Sequence, residues 1–202
     1  MTADADTMDV TEETAPEAVP LLLFVGGVRS GKSSLALRWA REQAPKRLFI
    51  APCIPDDAEM TARVALHKAE RGKTWECLEE GLEPREALQA YFSAHGADRP
   101  GVLLFDCVSS WLANMLREGL KQEQCLIRIA EFTEYLGSLR IPAALVSAEA
   151  GLGLVPPNRV GRRFQDALGL ANQHLARACS SAVFVSCGLP LLLKGRLPEQ
   201  SC

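Results

Sequence analysis

The sequence predicts an α/β protein: a mostly parallel sheet with helices on both faces and a C-terminal hairpin. Three observations predict it. Short apolar runs alternate with longer segments of helical period, the pattern of strands buried on both faces and joined by crossover helices. A glycine-rich turn, "GGVRSGKS" (26–33), lies between the first apolar run and the first helical segment. Near the end, "CGLP" (187–190) separates "AVFVS" from "LLLK", and Gly and Pro between two apolar runs mark a hairpin.

In chain order, strands are read at 20–25 (PLLLFV), 47–51 (RLFIA), 102–106 (VLLFD), 143–147 (AALVS) and 182–186 (AVFVS). "TWECLE" (74–79) is read as an additional short strand. Helices are expected at 32–43, 56–71, 84–95, 109–118, 122–139 and 158–179. Asp56 and Asp57 suit the start of the second helix and Asn158 the start of the last, because a short oxygen-bearing side chain satisfies an otherwise open first-turn N–H.

Charge divides the chain unevenly. Residues 1–19 hold six acids and no Lys or Arg; the whole chain carries −3, so the remainder carries about +3. The leader cannot bury enough apolar surface to repay its ordering entropy and is expected to be disordered. One P-loop nucleotide-binding and transferase domain is expected over 20–195, with a short tail at 196–202. A weakly basic body gives no case for nucleic acid as a partner. No apolar run is long enough to span a bilayer, and the leader lacks the parts of a signal peptide. The seven cysteines are scattered without a Cys-x-x-Cys pair, which fits reduced thiols in a cytoplasm better than a disulfide frame or a zinc site.

The turn Gly26-Gly27-Val28-Arg29-Ser30-Gly31-Lys32-Ser33 satisfies G-x-x-x-x-G-K-[ST] at every fixed position. With a strand before it and a helix after it, it reads as a phosphate cradle continuing to Ser34, and the fold as the P-loop NTPase type. Glycines let backbone N–H groups curl around an anion at a helix N-terminus. Lys32 would reach the β- and γ-phosphates, and the Ser33 hydroxyl would ligate Mg²⁺. Asp106 closes "VLLFD", where a carboxylate holds the same ion; the alternative for Asp106 is a cap on the following helix. No Asn-Lys-x-Asp loop is present to read guanine as a switch protein would, and the chain is short for an ATPase motor. A small-molecule kinase or another phosphate-transfer enzyme remains.

Spacing leaves His67 with two readings. On a 3.6-residue period Met60, Arg63, Val64 and His67 share one face, so the ring either packs there or serves as a nucleophile toward phosphorus. In the second case Arg63, one turn back, would help neutralise the phosphate under attack. Glu149, in "EAGLG" after the strand at 143–147, stands at the edge where open α/β sheets bind ligands; it reads as a contact to metal, hydroxyl or substrate, or as part of a plain turn. Arg162, Arg163 and Asp166 read equally as a solvated ion-pair cluster or as substrate contacts. His95 reads as a favourable charge at a helix end and His174 as surface or packing.

Taken together, the chain resembles the bifunctional adenosylcobinamide kinase / adenosylcobinamide-phosphate guanylyltransferase family of cobalamin biosynthesis, from about Leu21 to Lys194. Four stretches carry the resemblance: "GG-x-RSGKS"; "D-x-EM-x-x-R-x-x-x-HK" (Asp57 to Lys68); "DC-x-S-x-WL-x-N" (Asp106 to Asn114); and "E-x-GLG-x-VP-x-N", "RRF-x-D-x-x-G-x-x-NQ" and "GLPL-x-LK" (Glu149 to Lys194). The resemblance implies phosphorylation of the aminopropanol hydroxyl of adenosylcobinamide by a nucleoside triphosphate, ATP or GTP. GTP then guanylylates a histidine, which falls on His67, and GMP passes to the cobinamide phosphate. It also implies a homotrimer. Leu66, Ala148 and Pro52 depart from the family's usual residues at their positions. A guanylyltransferase without the kinase step, and a nucleotide-binding regulatory protein, are the competing readings.

Overall fold

The computed structural model describes residues 19–52 and 74–196. The expected helix at 56–71, with Asp56, Asp57, Arg63 and His67, lies outside the described residues, as does most of the leader.

Strand β1 (Leu21–Gly26) leads through the P-loop into α1 (Lys32–Gln43) and β2 (Arg47–Ala51). There follow β3 (Trp75–Glu79), α2 (Pro84–His95), β4 (Val102–Asp106), α3 (Val108–Arg117), α4 (Gln122–Ser138), β5 (Ala143–Ala148), α5 (Arg159–Ala178), β6 (Ser181–Ser186) and β7 (Leu189–Lys194). They form one seven-stranded sheet in the order β3-β2-β4-β5-β1-β6-β7. Every neighbouring pair is parallel except β6 and β7.

The all-apolar character of β1 has a simple cause. Side chains alternate across a strand, and Leu21, Leu23 and Val25 enter one core while Leu22 and Phe24 enter the other. Among the described residues, α2 to α5 supply the helical side of the first core and α1 alone that of the second. Phe105, Trp111 and Phe132 meet in the first core with centroids 5.0–5.6 Å apart. In the second, Trp39 of α1 lies 6.4 Å from Phe24. The additional strand at 74–79 exists as β3, paired in parallel with β2. Only Trp75 of it is buried, as suits an edge strand, which accounts for its weak apolar signal.

The hairpin differs in detail from the sequence reading. Its turn is Cys187-Gly188, with φ of 53° and 78°, and positive φ at both central residues matches the twist of the flanking strands. Pro190 belongs to β7 itself and pairs with Val185. Proline is tolerated there because β7 is an outer strand.

Burial sorts the thiols. It pushes Cys179 up to about 12 and also raises Cys125, while burial and the Asp106 charge raise Cys107. Cys77 and Cys187 are exposed. The thiolate is the reactive form, so a raised pKa slows reaction below it. Among these five cysteines, brief iodoacetamide treatment at pH 8 should modify Cys77 and Cys187 and spare Cys125 and Cys179 until denaturant is added. Peptide mass mapping checks this.

Candidate functional site

Because six strands are parallel, their carboxyl ends share one edge of the sheet. Gly26 ends β1 there, opposite Ala148 of β5 and Val185 of β6. Asp106 ends β4, opposite Val146 of β5. Strand β5 therefore stands between the P-loop strand and the Asp106 strand, so the two are about 10 Å apart. Glu149 leaves β5 in that gap, and its N–H donates to the Gly26 carbonyl at 3.0 Å.

The P-loop is shaped by close backbone contact. A Cβ on Gly26 would overlap the Val185 carbonyl oxygen and come within 2.7 Å of Ser30 Oγ. Gly31 has φ of 93°, and a Cβ there would lie 3.1 Å from the Gly188 Cα. The loop closes through Ser30 N–H to the Gly27 carbonyl (3.2 Å), and the Gly188 N–H holds the Ser30 carbonyl from behind (2.8 Å). The β6–β7 turn is thus the back wall of the cradle. Helix α1 begins at Lys32 with Gly31 at its cap, no side-chain cap bond and no acid in its first turn. Its leading N–H groups face the loop with the partial positive charge that favours an anion.

Lys32 Nζ donates to the Gly27 carbonyl at 3.0 Å, so its ammonium lies across the loop. Val28 is exposed, Arg29 has φ of 55°, and Ser30 Oγ is buried without a hydrogen-bond partner. Ser33 is half-buried and Ser34 exposed. Ser33 and Asp106 offer hard oxygen donors, and the glycine-walled cradle and the unpartnered Ser30 hydroxyl leave room for polar ligands. These features fit Mg²⁺ carried on a nucleotide's phosphates.

Glu149 is half-buried, and its Oε1 accepts from the Gly151 N–H at 2.5 Å. Asn158 caps α5 as expected, accepting from the Gly161 N–H at 2.7 Å. Arg162 instead donates to the carbonyls of Pro156 (3.0 Å) and Pro157 (2.8 Å), so it is a brace for the loop. His95 Nδ1 lies 2.8 Å from the Tyr91 carbonyl and its ring stacks on Tyr91 at 4.0 Å. His174 is half-buried, with Nε2 lacking a partner. Two residues of the "DC-x-S-x-WL-x-N" stretch have a role that spacing did not reveal. Buried Asn114 donates to the carbonyls of Pro52 (2.7 Å) and Gly81 (3.0 Å), and Trp111 Nε1 donates to that of Leu82 (3.0 Å). They tie the ends of β2 and β3 to α3, and Pro52 is the last described residue before the segment that carries His67.

The sequence matches the family described as cobinamide kinase / cobinamide phosphate guanyltransferase over residues 22–193. The chain belongs to that family. Among curated members, the bifunctional adenosylcobalamin biosynthesis protein CobP of Pseudomonas aeruginosa is 40% identical over 173 residues, covering 86% of this chain and 96% of that protein. The corresponding CobU proteins of Escherichia coli and Salmonella typhimurium are each 31% identical, covering 86% of this chain and 99% of theirs. In fold, the family's sheet as seen here resembles a KaiC-like protein from Pyrococcus horikoshii. The TM-score is 0.51 at 12% identity, over 90% of this chain and 82% of the other. The fold is of the P-loop NTPase type, and no helix among the described residues is long and apolar enough to cross a membrane.

Proposed function

We propose that this chain carries out both reactions for which its family is named, in one domain over 20–195 and at one phosphate cradle. The observation that carries this reading is the family match across 22–193, a span that contains the P-loop, His67, Asp106 and Glu149.

In the first step the aminopropanol hydroxyl of adenosylcobinamide attacks the γ-phosphorus of ATP or GTP. A P–O bond forms to the substrate, the bond to the β-phosphate oxygen breaks, and the nucleoside diphosphate leaves. Glu149 accepts the hydroxyl proton. Its place between the P-loop and Asp106 supports this role, because that gap borders the exit from the cradle. Lys32 and the α1 N–H groups neutralise charge on the transferring and leaving oxygens. Mg²⁺, held through Ser33 and Asp106, would supply further neutralisation of the phosphate oxygens.

In the second step a cradle that grips the β- and γ-phosphates of GTP leaves the α-phosphorus outside it. His67 attacks there, an N–P bond forms, and pyrophosphate leaves, with Arg63 countering charge on the α-phosphate. An oxygen of the cobinamide phosphate then attacks the same phosphorus, the N–P bond breaks, and adenosylcobinamide-GDP is released with the imidazole restored. Splitting the transfer replaces one hard displacement by two easier ones. The exposed Leu189, Leu191 and Leu193 of β7 support self-association, since an uncovered apolar outer strand invites a partner, and the family resemblance implies that the assembly is a homotrimer. Scattered unpaired thiols among the described residues support a cytoplasmic location.

Incubation with adenosylcobinamide, ATP, GTP and Mg²⁺ should yield the phosphate ester first and the GDP adduct second, resolved by mass spectrometry of the corrinoid. GMP transfer only to ready-made adenosylcobinamide phosphate would reduce the activity to guanylyl transfer. Nucleotide binding with neither product would leave a regulatory protein.

A further inference from the structure

The loop that carries Glu149 is long and rich in glycine and proline, and its large apolar residues, Leu152, Leu154 and Val155, are exposed rather than packed in the core. Hydrogen bonds hold it, and several of them come from one helix. Asn172 of α5 receives the Ser147 hydroxyl at Oδ1 (2.6 Å) and donates through Nδ2 to the Ala148 carbonyl (2.9 Å). Gln165 donates through Nε2 to the Ala150 carbonyl (2.5 Å). The peptide unit before Glu149 and the one after Ala150 are therefore each held by a carboxamide, while the Glu149 N–H is held by the Gly26 carbonyl of the P-loop (3.0 Å).

The donors form a stripe. Arg162, Gln165 and Asn172 fall within about 80° of arc on α5 at 3.6 residues per turn. The adjoining side of the helix buries Ala167, Leu168, Ala171 and Leu175 in the core. Core packing thus fixes the helix, and the helix fixes the loop. The orientation of Asn172 is set by chemistry: only the amide nitrogen can serve a carbonyl, which leaves Oδ1 for the serine hydroxyl.

We infer that Asn172 and Gln165 are positioning residues that hold Glu149 against the P-loop for the phosphoryl-transfer step. The inference rests on the role given to Glu149 above. The two carboxamides bond a hydroxyl and backbone carbonyls of this chain. They act on the rate through the backbone at 148–150, where a displacement of about 1 Å is enough to slow transfer severely.

Two substitutions test the clamp with little change in shape. Asn172→Asp keeps the acceptor for Ser147 but turns a carboxylate oxygen toward the Ala148 carbonyl. Gln165→Met removes only the bond to Ala150. Each should lower kcat of the kinase step about 10-fold or more, with KM for the nucleotide unchanged within about twofold because the P-loop keeps its own contacts. Amide exchange at Glu149 and Gly151 should speed up in both variants. In an E149Q background neither substitution should lower kcat further, because the group being positioned is already gone. Unchanged exchange in both variants overturns the clamp, as do kcat losses that multiply with that of E149Q or an effect confined to KM. An E149Q enzyme with full turnover, alongside faster exchange in the clamp variants, refutes instead the role of Glu149 and, with it, the catalytic consequence drawn here.

Discussion

In a Lys32→Ala protein, γ-phosphoryl transfer and GMP transfer both fall by about 100- to 1,000-fold, the usual cost of removing one transition-state charge contact. The argument begins with the loop. Lys32 is the first residue of α1, and its ammonium reaches back 3.0 Å to the Gly27 carbonyl, so it spans the cradle from the helix to the strand side. A charge held there faces the β- and γ-phosphates in either reaction: it stabilises the moving γ-phosphoryl group in the first and the departing pyrophosphate in the second. The loop keeps its shape without it. Its closure rests on backbone bonds from Ser30 to Gly27 and from Gly188 to Ser30, and the side chain itself contributes one partly buried hydrogen bond, on the order of 1 kcal/mol. Stability should therefore change little while both rates collapse. Initial rates for the two half-reactions, with a thermal melt as control, check this; full kinase turnover in the variant would refute a shared cradle.

His67→Ala should separate the steps. With the imidazole gone, α-labelled GTP leaves no covalent label on the chain, and GMP transfer drops by at least about 1,000-fold, as when a covalent nucleophile is deleted. Kinase turnover should stay within a few-fold of the parent, because Lys32, Ser33, Asp106 and Glu149 are untouched. The label on the parent should be acid-labile and alkali-stable, the behaviour of a phosphoramidate. Intact-mass measurement after incubation with GTP and Mg²⁺ reads it directly. Normal labelling of the variant would remove His67 from the mechanism and send the search to another nucleophile.

The P-loop was legible in the sequence because the residues of its motif are contiguous. Gly26 and Gly31, the apolar strand before them and the helix after them lie within one short stretch, and local sterics and the helix N-terminus determine the shape. The alternating cores were legible for the same reason: side-chain direction in β1 follows from strand geometry alone. The cap at Asn158 is another local matter, since its partner is three residues away.

Other features depend on residues far apart in the chain. Gly188 supports the P-loop across 158 positions, and its role is invisible in "CGLP", which advertises only a turn. Asn114 joins the ends of β2 and β3 from 62 and 33 residues away; spacing marked it as part of a motif but gave no reason for an amide. Arg162 was read with its charged neighbours and proves to brace proline carbonyls, because a loop folding back on α5 brings acceptors that sequence proximity does not reveal. His67 and Arg63 lie outside the described residues, and their roles rest on the family resemblance and the chemistry of the motif.

The sequence by itself determined that this chain holds phosphate at a glycine-lined helix start on a mostly parallel sheet, and which family's residues it carries. Only the tertiary structure decided the strand order that inserts β5 between the P-loop strand and the Asp106 strand and so brings Glu149 beside the cradle. The same holds for the α5 stripe that grips its loop. The reason is physical: backbone conformation and side-chain alternation are set over a few residues, whereas strand order and hydrogen bonds between distant segments follow from how the crossover helices pack and from which polar groups are left to pair once the cores have closed.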